Sequence, residues 1–404
     1  MTRRRTLRRS TLIPLTTALT AALITTGGAA ADARAAGAGP ADASRPGGVR
    51  LQYLGEQELP NAMQFQGTTV GGLSAISYDA RSGRYYIISD DRSQKNPARF
   101  YTADIGISRS GLGNVTLTGT HPWLEPDGST YPPTVPAPGP AQTVAPDPEG
   151  IAVDPASGHL FWSSEGERIV SPTAAPLLED PWVRESSTAG AYRGQLPLPP
   201  QEHMNAQAVG PRQNQTLEGV TFTPDGSRLY SSMEDPLQQD GADPTPAAGS
   251  LTRVTEFDAR TRLPVAQYAY PLSKFFTQLA PGDTTDTNGV SDVLALGGGK
   301  LLVLERASVF ATENWKARIF IASQHGATDV LSRDSLSDGT VRPMTKKLLV
   351  DLSDVPGLPR VDNVEGLTFG PRLPDGRRTL ILVSDDNFSD QQVTQFIAFA
   401  VSGL

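Results

Sequence analysis

The sequence predicts an all-β chain folded as a β-propeller of four-stranded blades, five by count with room for a sixth. Three observations carry that reading. First, five segments repeat one pattern: a short apolar strand, a glycine-containing turn, a second apolar strand and a closing acid. They occupy residues 73–91, 148–165, 217–235, 291–306 and 364–386. Second, the place held by Glu149 recurs at Ser74, Glu218, Asp292 and Glu365, in steps of 75, 69, 74 and 73 residues. Third, no amphipathic helical stretch separates the strand pairs, which sets aside an α/β fold. The near-constant step argues against a row of β-sandwiches.

Residues 1–35 come first and stand apart from the repeat. Five arginines fall within residues 1–9, an apolar run follows at 12–24, and small residues lead to Ala33-Arg34-Ala35. This is the three-part pattern of a signal peptide cleaved after Ala35, so the mature chain is expected to be secreted and extracellular. Arg8-Arg9 loosely matches a twin-arginine signal, leaving the export route open. The apolar run is too short for a comfortable membrane span. Residues 36–48, rich in Ala, Gly and Pro, read as a flexible leader, and residues 49–404 as the propeller domain.

Within the propeller, each strand pair turns on a hairpin sequence such as Arg81-Ser82-Gly83, Asp225-Gly226-Ser227 or Asp375-Gly376-Arg377. Weaker strands follow the first, third and fourth pairs at 98–103 and 114–118, 251–257 and 265–270, and 318–323 and 347–352. Behind the fifth pair only residues 394–401 remain, and the N-terminal residues 49–54 are expected to complete that blade and close the ring. The stretches 120–147 and 168–216 are long enough to hold the sixth blade.

The 404 residues contain no cysteine, so no disulfide holds the fold. A net charge of −8 excludes a phosphate-backbone footprint, and nucleic acid is not an expected partner. No long exposed apolar element suggests a partner chain, and a monomer is expected. No nucleophile elbow, Walker loop or His-Glu-x-x-His is present. The four histidines, His121, His159, His203 and His325, fall outside metal-site spacing.

What remains is acid. In a blade, the first strand starts where the second ends, so two sets of carboxylates should meet at one mouth of the channel. Glu149, Glu218, Asp292 and Glu365 start first strands, and Ser74 fills that place in the first unit. Asp90, Asp91, Glu165, Glu234, Asp235, Glu305, Asp385 and Asp386 end second strands. Carboxylates so crowded repel each other, and binding a hard cation such as Ca²⁺ relieves the repulsion. The plainer alternative is that each glutamate hydrogen-bonds backbone amides. Arg92, Arg168, Arg253, Arg306 and Lys316 follow the acids and are placed to hold an anionic group, or to pair with surface acids.

Gly71-Gly72-Leu73-Ser74 with Ser89-Asp90-Asp91, Pro148-Glu149-Gly150-Ile151, Leu217-Glu218-Gly219-Val220, and Asn363-Val364-Glu365-Gly366-Leu367 with Ser384-Asp385-Asp386 resemble the phytase-like family. That family is named for an esterase-like activity. The resemblance runs from about residue 50 to the end. It implies an exported propeller that hydrolyses esters or phosphoesters. From the convergence of acids at the mouth, Glu149, Glu218, Asp292 and Glu365 are expected to hold Ca²⁺. Asp90, Glu165, Glu234 and Asp385 are expected to complete the shell or act as base, and Arg92 and Arg306 to hold a small anionic ester. A lactonase and a non-catalytic, ligand- or envelope-binding propeller remain alternatives.

Overall fold

A computed structural model describes residues 48–135, 142–277, 287–308 and 315–404, with Gly47–Leu404 forming one unit. The expected signal peptide and all but the last residue of the leader lie outside the described residues. Five four-stranded antiparallel sheets form the five blades of a propeller. The innermost strands are Ala75–Asp79, Pro148–Val153, Leu217–Phe222, Thr287–Gly297 and Val364–Arg372. Each touches the next, and the last touches the first.

Outward from these run Arg84–Ser89, Arg99–Ser108 and Gly111–Pro122 in blade 1. Leu160–Ser164, Trp182–Ser186 and Tyr192–Gln195 complete blade 2. Blade 3 adds Arg228–Met233, Leu251–Asp258 and Pro264–Pro271, and blade 4 adds Lys300–Ser308, Lys316–Ser323 and Thr345–Asp351. The stretch 168–216, which left room for a sixth blade, supplies the two outer strands of blade 2 and a side hairpin, Glu167–Ser171 with Ala174–Glu179. The count is therefore five.

Blade 5 closes the ring as the sequence predicts. Arg378–Ser384 and Thr394–Ser402 follow its inner strand, and Arg50–Leu59 pairs antiparallel with the latter from Arg50↔Ser402 to Leu59↔Thr394. A shared blade leaves the ring no open seam. Its apolar strand runs are buried on both faces: Leu380, Ile381, Leu382, Phe396, Ile397 and Phe399 are all within 1 % of full burial. Deleting such a side chain costs about 2–5 kcal/mol.

Hydroxyls stitch the inner strands together. Val153 N donates to Ser77 Oγ at 3.0 Å, Ala295 N to Thr221 Oγ1 at 3.1 Å, and Tyr78 N to Thr368 Oγ1 at 3.2 Å. Adjacent inner strands splay as sheets twist and cannot form a full ladder, so side chains satisfy their buried amides.

Candidate active site at the channel mouth

The inner strand of every blade from the second to the fifth carries a β-bulge close to its start, between Pro148 and Ile151, Leu217 and Val220, Val290 and Asp292, and Val364 and Gly366. A bulge re-aims the side chain that it leaves unpaired. Glu149, Glu218 and Glu365 occupy that place. The glycine after each glutamate has its own cause. A Cβ on Gly150 would run into the Glu218 carbonyl oxygen, and one on Gly219 would lie 2.7 Å from Asp292 Oδ1. The glutamate is turned into the channel, and the glycine admits the neighbouring blade.

Second strands end at the same level. The amides of Asp90, Glu165, Glu234 and Asp385 donate to the carbonyls of Gly72, Asp147, Thr216 and Asn363 at 2.6, 3.1, 2.6 and 2.9 Å. These four acids therefore occupy one equivalent position, as the repeat predicts.

Blade 4 departs from the repeat by one residue. Val290 pairs with Glu305 and Asp292 with Leu304, whereas in blade 5 Val364 pairs with Ser384 and Gly366 with Val383. Ser291, not Asp292, stands at the glutamate place, and Arg306, not Glu305, stands at the place of Asp385. The matching of Asp292 to Glu149 is thus corrected by the register. Asp292 occupies the glycine place, where Oδ1 accepts from Val293 N at 2.7 Å and Oδ2 from Leu367 N of blade 5 at 2.8 Å. Burial raises its pKa well above the usual carboxylate range, those two amides pull it back, and no neighbouring acid contributes. Glu305 turns aside to Tyr270 Oη, Ser273 N and Lys346 Nζ.

Arg306 is buried inside the ring. Nη2 lies 2.8 Å from Glu234 Oε1, and Nη1 lies 2.9 Å from Glu365 Oε1 and 3.1 Å from Asn363 Oδ1. Burial works against its charge, but Glu365, Glu234, Glu218 and Glu149 outweigh burial and raise its pKa. Its terminal nitrogens are taken by the protein's own acids. Arg92 instead reaches the opening, its side chain 23 % exposed, with Nη1 3.2 Å from Asp147 Oδ2 and Nη2 2.7 Å from Glu167 Oε2.

On the side away from Arg306 the carboxylates gather without a cation of comparable reach. Two groups have oxygens within 4.8 Å of one another: Asp90, Asp147 and Glu149, and Glu149, Glu165 and Glu218. Glu149 belongs to both. Asp147 was missed by the sequence reading. Its signal was faint: a polar residue two places before the repeated glutamate, matched by Thr216 and Asn363. Burial, first, and then the charges of neighbouring acids push Asp90, Glu149, Glu165, Glu218 and Asp385 well above the usual range. Glu234, which Arg306 steadies, rises only to about 7. Asp90 Oδ1 is shielded from solvent and has no hydrogen-bond partner.

Asp91 and Asp386 of the set are structural. Asp91 accepts from the amides of Gln94, Lys95 and Asn96 and pairs with Arg99 at 2.6 Å. Asp386 ties blade 5 to Gly72 N at 2.9 Å and to Thr394 Oγ1 at 3.1 Å. Asp235 is buried, with neither carboxylate oxygen hydrogen-bonded. Of the remaining cations, Arg253 is fully buried against Asp240, Arg168 donates to the Asn205 and Gln207 carbonyls, and Lys316 to Ser353. His159 and His203 pair with Glu185 and Asp180, His121 stacks on Phe100, and His325 is exposed in a turn.

The ring opens to a pocket of about 310 Å³ lined by Asp90, Asp91, Arg92, Gln94, Lys95, Asn387 and Phe388. A family model described as "Esterase-like activity of phytase" matches residues 68–388, a span that ends at Phe388 in this pocket's wall. The chain belongs to the phytase-like family. This phytase-like propeller therefore carries a hydrolase family's sequence along most of its length. No curated protein matches it. Among solved structures, an endo-arabinase of Bacteroides thetaiotaomicron is 11% identical over 81% of this chain and 93% of its own, with a TM-score of 0.41. A thermostable family-43 glycoside hydrolase is 11% identical over 82% and 90%, with a TM-score of 0.42. The periplasmic gluconolactonase of Pseudomonas aeruginosa is 14% identical over 82% and 89%, with a TM-score of 0.32.

Proposed function

We propose that this phytase-like propeller is a secreted, Ca²⁺-dependent phosphomonoesterase that acts on small anionic esters at the acidic mouth. One observation carries the reading: two carboxylate groups that share Glu149 lie beside a pocket holding Arg92 and Lys95. The donor set fits a hard cation. All donors are carboxylate oxygens, the flexible coordination of Ca²⁺ suits them, and the unpartnered Asp90 Oδ1 wants a positive neighbour. Asp90, Asp147, Glu149, Glu165 and Glu218 would hold the ion. Glu365, expected as a ligand from sequence, is satisfied by Arg306, and Asp292 by backbone amides.

A bound Ca²⁺ would supply positive charge for a phosphoryl oxygen and would make nearby water more acidic. The remaining work falls to the chain. Arg92 holds the ester's anionic group, its guanidinium fixed in plane by Asp147 and Glu167. Lys95 adds charge from across the pocket. Asp90 stands part-exposed in the pocket wall, where the ester would meet the carboxylates that would hold the ion. Phe388 packs over Gly71 and Gly72 and walls one side of the pocket from solvent.

The deciding assay is hydrolysis of p-nitrophenyl phosphate, phytate, p-nitrophenyl acetate and a γ-lactone, with Ca²⁺ and after chelation. Expected is Ca²⁺-dependent turnover of the phosphates alone. Glu149→Gln should lower kcat/KM about 100-fold or more and remove Ca²⁺ binding in calorimetry. Turnover of acetate or lactone would move the activity to carbonyl esters. Silence on all four, with the melting temperature falling on chelation, would leave a cation-stabilised binding propeller.

A further inference from the structure

The channel has a second end. Away from the acids, the lower half of the channel opens into a cavity of about 510 Å³, within the range of about 300–1,000 Å³ usual for small-molecule pockets. Every blade contributes apolar wall: Ile76, Ile151, Val220, Val293 and Leu367, with Phe222 and Phe369 beyond them. The hydroxyls in this wall are spent. Ser77, Thr221 and Thr368 each accept an amide of the next inner strand, so they offer a ligand little polarity.

The rim differs from the wall. Arg372 and Arg378 both border the cavity, and neither forms an ion pair among the described residues. Arg372 donates to the Gly376 carbonyl at 2.7 Å, and Arg378 lies over the Phe369 ring, 5.0 Å from its centroid. Burial and the charge of Arg372 both lower the pKa of Arg378, the signature of two like charges held together without an acid. A neighbouring cavity of about 730 Å³ shares both arginines and adds Lys300; its one acidic side chain, Asp375, is already paired with Arg377 at 2.8 Å. An apolar shaft ending in uncompensated positive charge is complementary to one kind of molecule, a chain with an apolar tail and an anionic head.

We propose that the lower half of the channel is a second ligand site that takes a medium-chain fatty-acid anion, its tail in the channel and its carboxylate on Arg372 and Arg378. The site is independent of the acidic mouth and of the chemistry proposed there. Apolar burial would supply most of the affinity, and the guanidinium pair would supply head-group selectivity.

The test titrates sodium decanoate and decanol into the purified whole chain, read by calorimetry and by displacement of anilinonaphthalene sulfonate fluorescence. Expected is saturable decanoate binding at least tenfold tighter than decanol binding. The double variant Arg372→Ser/Arg378→Ser should weaken decanoate about tenfold while decanol is unchanged. Both side chains lie at the surface rim, and unchanged melting will show that the variant folds; Arg378→Glu gives a second, stronger reversal of the same charge. The proposal is overturned if decanoate does not saturate, if the two probes bind alike, or if the variants hold decanoate as the parent does. Binding confined to phosphatidylglycerol vesicles, with no response to monomeric decanoate, would equally overturn it.

Discussion

The two halves of the acidic ring solve one electrostatic problem in different ways. On the side of blades 3 to 5, Glu234 and Glu365 share Arg306, a cation built into the chain. Across blades 1 to 3, Asp90, Asp147, Glu149, Glu165 and Glu218 face each other, with Arg92 pairing at the edge with Asp147 and Glu167. Burial and mutual repulsion raise these acids, and Glu234 beside its arginine is raised less. The teaching is that a repeated motif does not give a repeated site. A one-residue shift in blade 4 turns an acid place into an arginine place and leaves on the other side the two carboxylate groups that could hold a metal ion.

The comparison breaks hardest at Arg306. Arg306→Met should destabilise the fold by about 3–5 kcal/mol in chemical denaturation, because Glu234 and Glu365 are left buried without a partner. Part of that loss should be recovered by added Ca²⁺, since the variant makes the second half resemble the first. No recovery would mean that the two halves are not interchangeable.

A pH series sharpens the same contrast. Burial holds Glu149, Glu165, Glu218 and Glu234 above their ordinary values, so the folded chain keeps protons that the unfolded chain releases above about pH 4.3. Their contribution to the stability of the chelated protein is therefore greatest at or below that pH and falls as pH rises, for Glu234 through about 7. Glu234 by itself should account for a loss on the order of 2–3 kcal/mol between pH 5 and 8, read by thermal melting, and Ca²⁺ should flatten the curve. A chelated protein that gains stability over that range would sink the account.

The smallest expected effect is at Asp292. Asp292→Asn loses one of two backbone hydrogen bonds and should cost about 1 kcal/mol, with Ca²⁺ affinity unchanged. A tenfold loss of Ca²⁺ affinity would return Asp292 to the ligand set.

Much of this molecule is written in its strands. The alternation of apolar runs with hairpin turns at steps near 73 residues specifies blades, since each pair can bury its faces only against its neighbours. The lone final strand and the N-terminal 49–54 likewise announce the closing of blade 5. The Glu-Gly pairs mark the mouth because both residues answer local demands, a bulge and a close approach. Even the shift in blade 4 left a trace: Val290-Ser291-Asp292-Val293 aligns apolar residue to apolar residue with Leu217-Glu218-Gly219-Val220. Matching acid to acid hid it.

The outer strands of blade 2 were not legible, because Trp182–Ser186 and Tyr192–Gln195 are short, polar and separated from their pair by an inserted hairpin. Nor could the sequence by itself say which acids meet. Period and pattern determined the blades, their number within one, and the mouth to which the carboxylates go. Tertiary structure decided the partners: Arg306 between Glu234 and Glu365, Asp147 beside Glu149, Asp292 on the amide of Leu367. The physical reason is that strand patterning is fixed by burial along one chain segment, whereas these contacts depend on register between strands of different blades, where a slip of one residue changes which side chain faces the channel.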